Sequence, residues 1–252
     1  MYLYYIAIHI DNALYMYNDP FSSKFSYNVR FIENYLSRAV RQLKIQTGGQ
    51  YTMMYVRLYN QDGYRESTVF RTLEVNINVL PEQFKAYSSM RVLEDRYEWC
   101  LSFIEEGYRQ ISIKRNLDLN LLMSVNDSFR NNNYKNEWLF KKIRIPQYDL
   151  YVYLKCYFTA FEFRLELEAY NYKQTVLKVK HVVLRTMPDE DFYSKEFRTV
   201  EIVGRYLVIK DFLDHDSFWI DLESVSEGVA VVIDKRDISE QDDDPLFKQI
   251  LW

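Results

Sequence analysis

The chain opens on an alternation. Tyr2, Tyr4, Ile6 and Ile8 fall on one side of an extended segment, so residues 2–10 predict a strand. An Asn-Asp-Pro turn signal at 18–20 closes a loop-like stretch over 11–26. The period then changes. Val29, Ile32, Leu36, Val40 and Leu43 recur at spacings of three and four, which is one face of a helix. Ser26 or Asn28 is its expected cap, and Gly48-Gly49 its stop. The glycine pair follows a helix and precedes a strand, the reverse of the order a phosphate-cradling loop needs.

Strands are expected near 51–59 and 64–79, joined as a hairpin through Asn60-Gln61-Asp62-Gly63. In the second, Leu73, Val75, Ile77 and Val79 alternate with Glu74, Asn76 and Asn78, leaving one face wet. Pro81-Glu82 suits a helix start, and Ser88-Ser89 a second one. The helix beyond buries Leu93, Tyr97, Cys100, Ile104, Tyr108 and Ile111, and another stretch runs from Leu119 to Phe129. Asn131-Asn132-Asn133 marks a boundary, because the period beyond it turns to two. Strands are predicted at 137–145, 148–158, 161–170, 173–185, 196–210 and 229–234. Phe161, Phe163, Leu165 and Leu167 against Glu162, Arg164, Glu166 and Glu168 is the pattern of an antiparallel sheet with one solvated face.

These patterns predict an α+β fold: a mostly antiparallel sheet with the N-terminal helices packed on one face. Residues 1–133 form a mixed half of order β-α-β-β-α-α. Residues 134–238 form an all-β half, as a separate domain or part of the same one. Residues 239–252 form an acidic and apolar tail. In that tail Asp242 to Asp244 precede Leu246, Phe247, Ile250, Leu251 and Trp252, a sequence able to fold back on its own core or to dock elsewhere.

Composition supports a packed core. Of 252 residues 48% are hydrophobic, and only six glycines and five prolines occur, which argues against wholesale disorder and against long flexible linkers. The 23 tyrosines and 16 phenylalanines suit sheet faces and interfaces. Cys100 and Cys156 stand in no metal-binding or redox spacing and are expected as buried thiols. The apolar N-terminus lacks a basic start and is too short to cross a bilayer, which points to a cytoplasmic protein with no membrane partner.

The net charge of −4 is unevenly laid out. Residues 127–186 carry 11 bases and 6 acids, whereas residues 187–252 carry 7 bases and 17 acids. The acidic quarter disfavours nucleic acid and favours a basic protein partner. Within it, Asp211, Asp214, Asp216, Asp221 and Glu223 surround Phe218 and Trp219, the combination of charge and aromatic anchor common at binding hot spots. These seven residues, with Phe247 and Trp252, are the expected partner contacts. No glycine lies between Gly204 and Gly228 to shape a metal loop there. Lysines 135, 141, 142, 155, 173, 178 and 180 with Arg144 give the middle sheet a basic tint, interleaved with Tyr148, Tyr151, Tyr153 and Tyr157.

Catalytic grammar is sparse. There is no GxSxG elbow and no HExxH, and His9, His181 and His215 are scattered. No catalytic residue, metal or cofactor is predicted. The sequence points to recognition: an immunity- or antitoxin-like module that captures a basic protein through its acidic C-terminal surface. Two alternatives stand beside it. One is a structural subunit of a viral, phage or other assembly, which leaves room for a homo-oligomer. The other is a metal-dependent nuclease with Asp189 as one acid. The nuclease lacks an acid-x-lysine pair, since residues 162–168 read Glu-Phe-Arg-Leu-Glu-Leu-Glu.

Overall fold

A computed structural model describes residues 1–11, 20–173 and 175–236, with side chains from Phe25 onward in the first helix. It is an α+β fold with mostly antiparallel sheets and one mixed sheet. The chain divides into two compact units, residues 1–136 and 137–252.

The first unit is built on β1 (Tyr5–Ile10), β2 (Met53–Tyr59), β3 (Gly63–Ser67) and β4 (Thr72–Asn78), in the order β1-β2-β4-β3. β1, β2 and β4 run parallel, and only β3 is antiparallel to its neighbour. The hairpin expected at Asp62-Gly63 therefore does not join β2 to its successor. The segment 64–79 instead breaks at residues 68–71, with Arg71 at φ 54°, and folds on itself as β3 and β4. Side-chain chemistry explains the choice. Met54, Val56 and Leu58 of β2 face Leu73, Val75 and Ile77 of β4 in register, which makes a continuous apolar layer. β3, with Arg65, Glu66 and Ser67, has no such row to offer. Asp62 Oδ1 accepts the Asn78 N–H at 2.8 Å, pinning the Asp-Gly corner beside the end of β4.

Helix α1 (Pro20–Leu43) starts earlier than the sequence suggests. Pro20, read as part of a turn, is its first residue, a position where a missing N–H costs nothing. Val29, Ile32, Leu36 and Val40 are buried as predicted, whereas Leu43 is half exposed. A second row on α1 meets the outer edge of β1. Glu33 Oε1 accepts the Ile8 N–H at 2.7 Å, Ser37 Oγ accepts the Ile6 N–H at 3.0 Å, and Arg41 Nε donates to the Tyr4 carbonyl at 3.0 Å. The spacing of four keeps all three on one helix face.

Three further helices complete this unit: α2 (Pro81–Ser89), α3 (Leu93–Arg115) and α4 (Leu119–Asn131). Cys100, Ile104, Tyr108 and Ile111 of α3 are buried, with Gly107 among them. A Cβ at Gly107 would stand 2.7 Å from both Met54 Cε and Val56 Cγ2, so glycine is what lets α3 lie against β2. The Trp99 ring packs among Phe25, Phe84, Tyr87 and Phe103.

The second unit contains two four-stranded sheets. One has the order β5-β6-β7-β8, from β5 (Asn136–Ile145), β6 (Leu150–Phe158), β7 (Phe163–Asn171) and β8 (Val176–Thr186). The other has the order β12-β11-β10-β9, from β9 (Thr199–Val203), β10 (Tyr206–Lys210), β11 (Asp216–Asp221) and β12 (Val232–Asp234). The single strand expected over 196–210 is thus a hairpin. Its turn needs Gly204, whose φ is 60°. Two short helices, α5 (Glu190–Tyr193) and α6 (Leu222–Ser226), connect the elements. Alternate residues of β6 and β7, from Leu150 to Phe158 and from Phe163 to Ala169, face the core at 0–1% exposure. Phe163 stacks on Tyr193 with ring centroids 3.7 Å apart. Among the described residues no helix is long and apolar enough to cross a membrane.

Candidate functional site

The acidic segment that the sequence singles out forms the turn from β10 into β11 and then β11 itself. Asp211 organises the turn. Its Oδ1 accepts the N–H groups of Leu213 and His215, each at 2.8 Å, and its own N–H donates to the His215 carbonyl at 2.9 Å. Asp214 takes the left-handed conformation, φ 67°, that a short polar side chain tolerates. The neighbouring segment braces the tip: Phe212 N–H donates to the Lys195 carbonyl at 3.1 Å, and Arg198 Nη1 reaches the Phe212 carbonyl at 3.3 Å.

This bracing leaves two apolar side chains outside. Phe212 is 46% exposed and Leu213 59%, between the carboxylates of Asp211 and Asp214. Both were missed as site residues. The signal was available: Asp-Phe-Leu-Asp is an apolar pair between acids where the alternation of β10 has ended. Lys210, beside the turn, is held charged, its pKa raised by a hydrogen bond to Glu201 and by the nearby Asp214 and Asp216.

The expected contact residues separate into groups. Asp214 is exposed and Asp216 half buried, and Asp216 Oδ2 accepts the Trp219 indole N–H at 3.0 Å. The half-buried Trp219 ring lies 5.1 Å from Tyr206. Phe218 is a correction: it is fully buried in β11, so it is a core ring and not an anchor. Asp221 is a second correction. It is buried, caps α6 by accepting the Glu223 and Ser224 N–H groups, and pairs with Arg205 at 2.9 Å. Glu223 shares that arginine at 3.3 Å. Phe247 and Trp252 lie outside the described residues. Lys210 also answers Glu201, and Arg236 answers both Glu196 and Asp234. Among the described residues Arg205, Lys210 and Arg236 thus answer Glu196, Glu201, Asp221, Glu223 and Asp234, and of the expected contacts those in the turn and at the start of β11, residues 211–216, keep carboxylates beside exposed apolar side chains.

Comparison with protein families, with curated proteins and with solved structures found no match to this chain.

Two other places were candidates for chemistry. In the first unit a cavity of about 190 Å³ lies between β1 and α1, with His9, Glu33 and Tyr55 on its wall. Burial lowers the His9 pKa, with Arg57 adding to the effect and Asp11 opposing it. Burial first, then Glu33 and other carboxylates, pushes Tyr55 up to about 12. Both groups are thus neutral at neutral pH, and Glu33 is engaged with the β1 edge. In the second unit, the glutamates weighed for a nuclease answer cations: Glu162 faces Arg164 and Arg185, Glu166 faces Arg164 and Lys180, and Glu168 faces Lys155 and Lys180. Asp189 caps α5 through the Asp191 N–H. Among the described residues no group of three His, Cys, Asp or Glu side chains is placed to hold a metal ion.

Proposed function

We propose that this chain is a protein-binding module, and that the β10–β11 turn docks a basic protein partner in the manner of an immunity protein or antitoxin. One observation carries the reading: Phe212 and Leu213 stand exposed on a turn whose backbone is fixed by Asp211. An apolar pair held in place loses little conformational freedom on binding, which is what a preorganised anchor requires. The flanking carboxylates supply the second element. They favour a pocket with a basic rim, speeding encounter, while the buried anchor slows release.

The test is capture from the native host by the whole chain, read by mass spectrometry, followed by kinetics on the partner recovered. Phe212→Ala with Leu213→Ala should weaken binding on the order of tenfold or more, mainly through faster release, as truncation of a hot spot does. Asp214→Lys should slow association and flatten its dependence on salt. A partner that binds the wild type and both variants with equal rates refutes the assignment of this turn.

A further inference from the structure

The solvated face of the β5–β8 sheet gathers what the sequence only scattered. Pairing puts Tyr151 opposite Tyr170, Tyr153 opposite Glu168, Lys155 opposite Glu166 and Tyr157 opposite Arg164. The regular alternation of β5 slips at Lys141-Lys142, so that Trp138 and Phe140 pack on Phe163 and Phe197 while Lys142 and Arg144 reach the tyrosines. Lys142 Nζ sits 4.8 Å from the Tyr151 ring centre and 5.1 Å from that of Tyr153. The Arg144 guanidinium lies 4.9 Å from the Tyr172 ring, and Tyr172 in turn packs edge-on to Tyr151 at 5.9 Å.

The two acids nearest the centre of this face do not cancel its outward charge, and a third, Asp149 beside Tyr172, is 40% exposed and is answered by Lys173 at 2.9 Å. The Glu166 and Glu168 side chains are only 4% and 7% exposed, whereas Lys180, which answers both, is 52% exposed. The carboxylates form a floor and the cations lie above them. Hydrogen bonds to those carboxylates, favoured over the cost of burial, hold Lys155 and Lys180 charged. Lys142 and Arg144 are exposed, and among the described residues no carboxylate lies within ion-pairing distance of either. The chain's net charge of −4 hides this local excess.

We propose that this face binds single-stranded nucleic acid, with phosphates at Lys142 and Arg144 and bases against Tyr151, Tyr153 and Tyr172. A polyanion with flat groups matches cations set between rings, because each base has a π-face to stack and each phosphate a charge to neutralise. A duplex keeps its bases stacked inside and cannot use the rings.

The test is fluorescence anisotropy of the whole chain with a labelled oligothymidylate, titrated at several salt concentrations. Binding at low salt should weaken as salt rises, with the logarithm of the binding constant falling by roughly 0.7 per phosphate engaged. Lys142→Ala with Arg144→Ala should reduce that slope by about 1.4, one increment for each lost phosphate contact. Tyr153→Leu should keep the slope and lower the affinity by roughly fivefold or more, the loss of one stacked base. Both substituted cations are exposed, so the fold survives, and the salt titration of the unsubstituted chain needs no variant. Absence of binding at low salt overturns the proposal. So does equal binding of heparin, a polyanion without bases, together with indifference to Tyr153→Leu.

Discussion

Replacing Gly107 by alanine drives a methyl group into the middle strand of the first unit. The new carbon would lie 2.7 Å from Met54 Cε and from Val56 Cγ2, roughly an ångström inside ordinary carbon–carbon contact. Met54 Cε ends a flexible chain and can swing aside. Val56 is β-branched, fully buried and flanked by β1 and β4, so its methyl cannot. Overpacking of this kind costs roughly 1–3 kcal/mol, and alanine recovers about 1 kcal/mol over glycine in a helix interior. The single variant should therefore lose about 1 kcal/mol. Val56→Ala alone should lose on the order of 2 kcal/mol through lost burial and a cavity. Once Val56 is alanine the obstruction is gone, and Gly107→Ala should then stabilise the protein. The coupling between the two sites should be about 1–3 kcal/mol.

The assay follows from the cysteines. The chain has two, Cys100 in the first unit and Cys156 in the second, and both are buried. Burial pushes the Cys100 thiol pKa up, so it is inert until its unit opens. Thiol labelling across a urea series, resolved by peptide mass, thus reads each unit separately. Additivity of the two substitutions within about 0.5 kcal/mol would refute the packing argument, as would a shift at Cys156 in place of Cys100.

Two further outcomes are expected. Ser37→Ala leaves the buried Ile6 N–H without its acceptor, and should destabilise the first unit by about 1–3 kcal/mol in the Cys100 labelling curve; an unchanged curve counts against the β1 edge contacts. Burial works against ionisation of Glu168, but hydrogen bonds from Lys155 and Tyr170 outweigh it and hold its pKa below the usual value. A lowered folded pKa means stability that is complete above the unfolded value of about 4.3 and is lost as pH falls through the folded one. Glu168→Gln should therefore be less stable than wild type at neutral pH, read at Cys156, with the difference closing in acid. A gap that persists or widens on acidification would contradict this.

The sequence was most legible where one side of an element meets water. The faces of α1 and α3, and the alternation along β6 and β7, follow from periodicity because each has a dry side and a wet one. Pairing was not legible in the same way. Nothing local to residues 51–79 says that β2 will take β4 as its neighbour, since that depends on matching apolar rows across the sheet. Two elements were hidden by single residues. Gly204, inside an apolar run, turned one expected strand into two, and Pro20, a turn former by composition, opened a helix. β11 was obscured by its charges: Asp216 and Asp221 stand at its two ends, while Ser217, Phe218 and Ile220 between them are buried. Counting acids did not show which of them are paired, because Arg205, Lys210 and Arg236, which answer five of the described acids, were spread along the chain and their partners could not be read from position. Phe212 and Leu213 went unnoticed for the opposite reason: short apolar pairs are usually core.

Along α1, the row formed by Glu33, Ser37 and Arg41 serves as a substitute for a fifth strand. The flank of β1 that another polypeptide could have joined is already occupied by the molecule's own side chains. Edge-to-edge growth of this sheet on the β1 side is opposed there by these side-chain hydrogen bonds. Changes along that row would thus alter more than stability: they would decide whether the first unit stays self-contained or acquires an adhesive border.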